Sequence, residues 1–229
     1  MSNRSEARAG ARAVAPMLLG VIPFGLVAGA APGTQGLPRW SAVGFSAIQF
    51  AGASQLAAIQ VLGAGGSALV AILAAWTINL RLVLYSASLA PYLAGVSTRK
   101  RLTAAYFLVD QNYAVAVTRW AAEGDQQGGD RRLAFHLGAG VLLWACWQLS
   151  TIAGVVIGGA LPRDTPLDFA LPLVFLVLLV PVITNRASVA AAVAGGAGAV
   201  AAAQLGAGGA SIVVGTVVGI AAGAVVDTR

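Results

Sequence analysis

Arg81 is the residue with the plainest chemical consequence. It stands in Trp76-Thr77-Ile78-Asn79-Leu80-Arg81-Leu82-Val83-Leu84-Tyr85, a run otherwise fit for a bilayer core. A charge at that depth is costly and by default marks a functional position. The planar guanidinium can hold a carboxylate in bidentate fashion. Tyr85, four residues on, shares its helix face. Asn79 lies about 200° around a regular helix from Arg81, so a regular helix turns it away. The next polar group is Asp110-Gln111-Asn112-Tyr113, where Asp110 is the carboxylate lying well inside an apolar stretch. Burial disfavours the charged form of a carboxylate and so favours proton exchange. Asp110 is thus a candidate for a coupled proton, for an ammonium, or for Arg81 itself. Counted from a turn near residue 99, the two are about 10 Å out of register. Direct pairing then needs tilt, and a zwitterion or water could bridge the gap. The bland alternatives are a structural ion pair, or Asp110 near the surface among basic residues.

Two further patches matter. In Ala51-Gly52-Ala53-Ser54-Gln55, Gly52 permits a bend beside two hydrogen-bonding side chains, Ser54 and Gln55. A helix broken at mid-depth offers N–H groups to an anion and C=O groups to a cation. A continuous helix with both side chains bonded to a neighbour is the alternative. Trp144, Trp147 and Gln148 form the last patch. Packing or interfacial anchoring is the default for membrane tryptophans, and lining a pocket is the other reading.

These groups need elements that live in lipid. The chain has 229 residues, 58% hydrophobic and 10% charged, with mean hydropathy +0.82. No ordinary soluble domain has that balance. Apolar stretches at 13–31, 41–62, 67–94, 103–122, 133–161, 169–184, 187–203 and 210–226 nearly fill it. A bilayer core takes roughly 20 residues of helix, so residues 1–229 are read as one all-α polytopic membrane domain. The net charge of +6 then sets topology and meets lipid headgroups rather than nucleic acid. One cysteine, Cys146, and one histidine, His136, predict no intrachain disulfide, no metal site and no cofactor. No nucleotide loop and no Ser/His/Asp set is found, so an enzyme is not expected. His136 reads as a packed histidine. Arg4, Arg8 and Arg12 before an apolar run ending Ala28-Gly29-Ala30 resemble a signal peptide, but no secreted domain follows, and 13–31 is read as a retained span.

Arg4, Arg8 and Arg12, and the cluster Arg99-Lys100-Arg101, both favour the cytoplasm. Three apolar stretches lie between them, where two cytoplasmic ends require an even number of crossings. The polar, glycine-containing 41–62 is taken as the broken or re-entrant one, which gives about seven spans with the C-terminus outside. Gly25/Gly29, Gly154/Gly158 and Gly215/Gly219/Gly223 are spaced by four. They predict close helix–helix faces, some kept for another subunit.

The chain resembles the AzlC family, the large subunits of two-component branched-chain amino-acid exporters. The matching blocks are Leu19-Gly20-Val21-Ile22-Pro23-Phe24-Gly25, Phe50-Ala51-Gly52-Ala53-Ser54-Gln55, and Asn79-Leu80-Arg81 leading into Leu84-Tyr85-Ser86-Ala87-Ser88-Leu89. Weaker matches are Val109-Asp110-Gln111 and Phe169-Ala170-Leu171-Pro172-Leu173. The resemblance implies proton-driven export of leucine, isoleucine, valine and, as a further candidate, methionine. It also implies a small AzlD-like membrane partner and a bacterial plasma membrane location. Leu82 stands where many relatives carry His, Asn79 where some carry Asp, and Gln111 where some carry Glu. Those departures weaken a multi-residue proton relay and leave Asp110 as its main candidate. The substrate-site candidates are Gly52, Ser54, Gln55, Asn79, Arg81, Tyr85, Asp110 and Gln111. The competing function is a non-transporting membrane scaffold or accessory subunit in which Arg81 and Asp110 pair structurally.

Overall fold

The computed structural model describes residues 2–123, 128–160, 183, 185–208 and 210–227. The expected loop at 162–168, the sixth apolar stretch but for residue 183, and its flanking Pro172 and Pro181 lie outside these. The described residues form helices and short connections: α1 (Asn3–Val14), a 3₁₀ turn (Ala15–Met17), α2 (Leu18–Thr34), α3 (Ser41–Ile48), α4 (Gly52–Gly63), α5 (Ala68–Leu89), a 3₁₀ turn (Pro91–Leu93), α6 (Thr98–Tyr106), α7 (Asp110–Glu123), α8 (Gly129–Ala160), α9 (Arg186–Gln204) and α10 (Ala210–Asp227). Five uninterrupted stretches among them are long and apolar enough to cross a bilayer: Asn3–Thr34, Ala68–Leu89, Gly129–Ala160, Arg186–Gln204 and Ala210–Asp227. This is an all-α membrane architecture, with two interrupted segments beside the five continuous helices.

The chain divides into two compact units. One comprises Met1–Ala30, Arg39–Gly52 and Asn79–Ala160; the other comprises Ala31–Pro38, Ala53–Ile78 and Leu161–Arg229.

The first unit is organised by its glycines. A β-carbon on Gly29 would strike the Thr151 carbonyl, and one on Gly154 the Leu26 carbonyl. Gly25 faces Ser150, and Gly158 faces Ala30. The two predicted glycine pairs are therefore each other's partners, not faces kept for another subunit. The same seam continues to Gly10 against Phe135 and Gly138 against Ala7. Residue numbers rise together along both helices, so α1–α2 and α8 run parallel. Small residues allow this approach, and lipid supplies no competing hydrophobic drive.

Parallel helices constrain topology. Between two crossings in the same direction, the chain must cross an odd number of times. Either α5 crosses alone, or α5 crosses together with both segments 41–63 and 98–123. The expected arrangement, with 103–122 spanning and 41–62 not, puts two crossings there and does not fit. Nor is 103–122 one helix: it breaks at residues 107–109. Arg99-Lys100-Arg101 also lies within α6, not in a linker. Lysine and arginine are good helix formers, and the apolar plot could not distinguish a basic helix start from a loop.

In the second unit, α9 and α10 form an antiparallel hairpin. Gly215 meets Gly195 and Ala199, Gly219 meets Ala191 and Gly195, and Gly223 meets Ala191. The predicted small-residue face is used there. An Asn185 capping box with Ser188 starts α9, satisfying free N–H groups that a helix start leaves. Gly206 and Gly208 take positive φ (83° and 51°) in the turn between the two helices, where a β-carbon would be strained.

Candidate functional site

Two helix breaks meet in the first unit. The first separates α3 from α4 at residues 49–51, within the stretch expected to be broken. Breaking a helix in a dry environment leaves carbonyls that need donors. Here side chains supply them. Gln148 Nε2 donates to the Ser46 carbonyl at 3.0 Å. The Tyr106 hydroxyl donates to the Ala47 carbonyl at 2.7 Å and accepts from Trp144 Nε1 at 3.0 Å. Gly52 opens α4, and a β-carbon there would collide with Trp147 and Phe24. Trp147 is 4% exposed and sets its ring edge-on to Phe24. Close approach, as well as bending, thus requires glycine at 52. Trp144 and Gln148 brace the break, a role that spacing alone did not assign.

The second break separates α6 from α7 at residues 107–109. Asn112, fully buried, holds both of its sides. Its Oδ1 accepts from the Val109 N–H at 2.9 Å, and its Nδ2 donates to the Phe107 carbonyl at 2.6 Å. One side chain thereby serves a free donor at the start of α7 and a free acceptor after α6. Because Tyr106 ends α6 and bonds Ala47, the two breaks are tied together.

Asp110 begins α7, where a carboxylate complements the positive end of the helix. Its Oδ2 lies 2.9 Å from Arg81 Nη1. The pairing is direct, contrary to the expected gap. The turn is not at residue 99: α5 ends at Leu89, residues 90–97 connect, and α6 stops before Asp110. A register assuming one straight helix from residue 99 does not apply. The Tyr85 hydroxyl is turned toward the same carboxylate. The Tyr85 and Tyr113 rings stack with centroids 4.0 Å apart, and the Tyr113 hydroxyl donates to Ser88 Oγ at 3.2 Å.

The pair is not saturated. Arg81 Nε and Asp110 Oδ1 are shielded yet have no hydrogen-bond partner. The side chains are nonetheless 35% and 41% exposed. Asp110 is therefore less buried than expected, because a helix start at a break turns outward in a way that apolar flanks do not reveal. Among the described residues the buried carboxylate is Glu6, 1% exposed, which accepts from Arg119 at 2.7 Å and Arg131 at 2.9 Å. Its signal was present: Glu6, Gly10 and Val14 form the buried stripe of α1, with Arg4, Arg8 and Arg12 on the other face.

The structure brings Arg81, Tyr85 and Asp110 together. Gln111 follows Asp110 in α7 and is half-buried. Asn79 sits two residues from Arg81 on an unbroken α5, hence on another side of it, and its Oδ1 has no partner. Gly52 belongs to the first break. Ser54 and Gln55 are fully buried on α4, in the second unit.

A family model described as AzlC protein matches residues 16–161, which span both breaks and the Arg81–Asp110 pair. The chain belongs to the AzlC family. An uncharacterized membrane protein of Archaeoglobus fulgidus is 31% identical over 190 residues, covering 81% of this chain and 80% of that one. No solved structure matches the chain. This AzlC-family chain is thus an integral membrane protein of several apolar helices.

Proposed function

We propose that this AzlC-family protein is a secondary transporter, not an enzyme. It exports zwitterionic branched-chain amino acids across the bacterial plasma membrane with a small AzlD-like subunit. The observation that carries this reading is the Arg81–Asp110 pair at a helix break, with Arg81 Nε and Asp110 Oδ1 unspent. A zwitterion can part the two residues and replace each with a charge of the same sign. Its carboxylate takes the Arg81 fork, and its ammonium takes Asp110. A proton on Asp110 competes with that ammonium. Proton and substrate then occupy the site in turn, which is the logic of antiport: protons enter as substrate leaves. The Tyr85–Tyr113 stack offers an aromatic wall beside the pair.

Topology supports the same reading. If α5 alone crosses between α2 and α8, Arg4, Arg8 and Arg12 and the basic cluster of α6 share one side, as the positive-inside bias favours. The breaks at 49–51 and 107–109 are tied by the Tyr106–Ala47 bond. Broken segments of this kind are tolerated where they line a cavity.

The 2.9 Å contact also fits a purely structural pair in a non-transporting scaffold. Efflux of labelled leucine from dipeptide-loaded cells, with the small subunit coexpressed, separates the two. Transport predicts efflux that collapses at least tenfold in Arg81→Lys with membrane abundance unchanged. Full efflux in both Arg81→Lys and Arg81→Ala overturns the proposed role of the pair.

A further inference from the structure

A cavity of about 300 Å³ opens between the end of α5, α6 and α8. That is the lower end of the range for small-molecule sites. Its walls include Leu89, Leu93, Leu102 and Leu108, with Arg101 and His136 as the groups able to carry charge. His136 is 1% exposed. Its Nε2 lies 2.9 Å from the Ala104 carbonyl. A carbonyl only accepts, so Nε2 carries the hydrogen and the neutral ring keeps its lone pair on Nδ1. That Nδ1 is buried and has no partner. A buried acceptor left unmatched is costly and calls for an explanation. Arg101 makes no ion pair among the described residues, whereas neighbouring Lys100 is engaged by Asp130. Arg101 and Ala104 are one turn apart and share a helix face, which sets the guanidinium on the side where His136 is anchored.

We propose that this cavity is a loading site for a small α-amino acid with an aliphatic side chain, distinct from the Arg81–Asp110 pair. Arg101 takes the carboxylate, His136 Nδ1 accepts from the ammonium, and the four leucines enclose the side chain. The three features match the three parts of that ligand, and a fatty acid or an amine would satisfy only two. The cavity lies next to the pair: Ser86 lines it and follows Tyr85, while Leu108 lies two residues before Asp110. In the topology above it opens on the side of the basic cluster, where an exporter collects substrate. This step rests on the transport reading.

The test is equilibrium binding of labelled leucine to the purified full chain in lipid nanodiscs. Wild type is compared with Arg81→Gln/Asp110→Asn, which removes the pair without leaving a lone charge. Saturable leucine binding should persist in the double variant. Adding Arg101→Gln to it should weaken that binding at least tenfold. Adding His136→Phe, which keeps an aromatic ring but has no lone pair to offer, should erase the preference for leucine over 4-methylpentanoate, its analogue without the ammonium. That loss of discrimination would not follow from a merely structural role. Binding in wild type but none in the double variant overturns the loading site and leaves the transport reading standing. Binding in the double variant that is indifferent to Arg101→Gln, or displaced by phosphatidylglycerol and not by leucine, also overturns it. No leucine binding in any form overturns both.

Discussion

Two ion-pair clusters in the same unit use the same residue types to opposite ends. In the first, Glu6 of α1 receives Arg119 of α7 and Arg131 of α8, while Arg119 Nε also donates to Glu123 at 2.6 Å. Both Glu6 oxygens are spent, and the carboxylate is 1% exposed. The Arg119 guanidinium also lies 4.4 Å over the Phe135 ring. Arg131 Nε and Glu123 Oε2 keep no partner, but neither lies on the central carboxylate. In the second cluster a single contact joins Arg81 to Asp110, one oxygen of Asp110 is unspent, and both side chains are over a third exposed. A carboxylate with both oxygens engaged and buried can be opened only by disrupting three helices. A partly exposed carboxylate with one oxygen unspent can trade its partner. The difference teaches that charge inside a membrane protein is not functional by position alone. Its remaining hydrogen-bonding capacity decides whether it can exchange.

The most severe test of that contrast is Asp110→Asn. It should abolish proton-driven export, a loss of at least tenfold in pH-jump efflux, and leucine exchange should fall with it, because proton and ammonium use the same carboxylate. Unchanged pH-driven efflux would place the two clusters in one class. Membrane abundance should fall in the single variant, since breaking an ion pair strands its partner. It should recover in Arg81→Gln/Asp110→Asn without recovery of transport.

Glu6→Gln probes the other side of the contrast. It leaves two arginines facing a neutral amide at a buried position. We expect a stability loss of roughly 1–3 kcal/mol, tempered by the partial exposure of both arginines. The melting temperature in detergent should drop, while efflux per molecule in the membrane stays within about twofold of wild type, as expected for a surface-remote structural change. A specific loss of turnover at normal stability would show that the Glu6 cluster takes part in transport.

Asn112→Ala addresses the link between the break and the pair. It orphans the Val109 N–H and the Phe107 carbonyl, at a cost of about 1–3 kcal/mol for each buried group left unmatched. Transport should fall several-fold through misplacement of Asp110, with a milder fall in abundance. Faster amide exchange confined to residues 107–113 would confirm the cause, and unaltered exchange there would refute it. The smallest effect belongs to Lys100→Gln. The Lys100–Asp130 pair is 2.7 Å long but more than half exposed on both sides. Solvent screens such pairs, so melting temperature and abundance should not change measurably.

The expectations that held are those resting on local properties. Membrane class follows from summed hydropathy, which needs no neighbours. The interruption near Gly52 was legible because Gln49, Gly52, Ser54 and Gln55 cannot all sit in a lipid-facing helix. The spacing of Gly154 and Gly158 marked a close face, since any partner must approach there. Family membership was legible from the Asn79-Leu80-Arg81 and Phe50–Gln55 blocks, now matched over residues 16–161. What the sequence could not supply is which face meets which. The break at 107–109 depends on Asn112 bonding both of its ends, and a hydropathy plot sees only apolar residues there. That Gly25 and Gly29 meet α8 within the chain depends on parallel packing, which a spacing of four does not encode. Glu6 becomes the buried carboxylate, and Asp110 the accessible one, because Arg119 and Arg131 lie far from Glu6 in the chain and are brought to it by α7 and α8. Sequence determined the solvent this protein lives in and the positions where its helices yield. Tertiary structure decided which carboxylate has both oxygens engaged and which keeps one unspent, because that depends on partners distant in the chain.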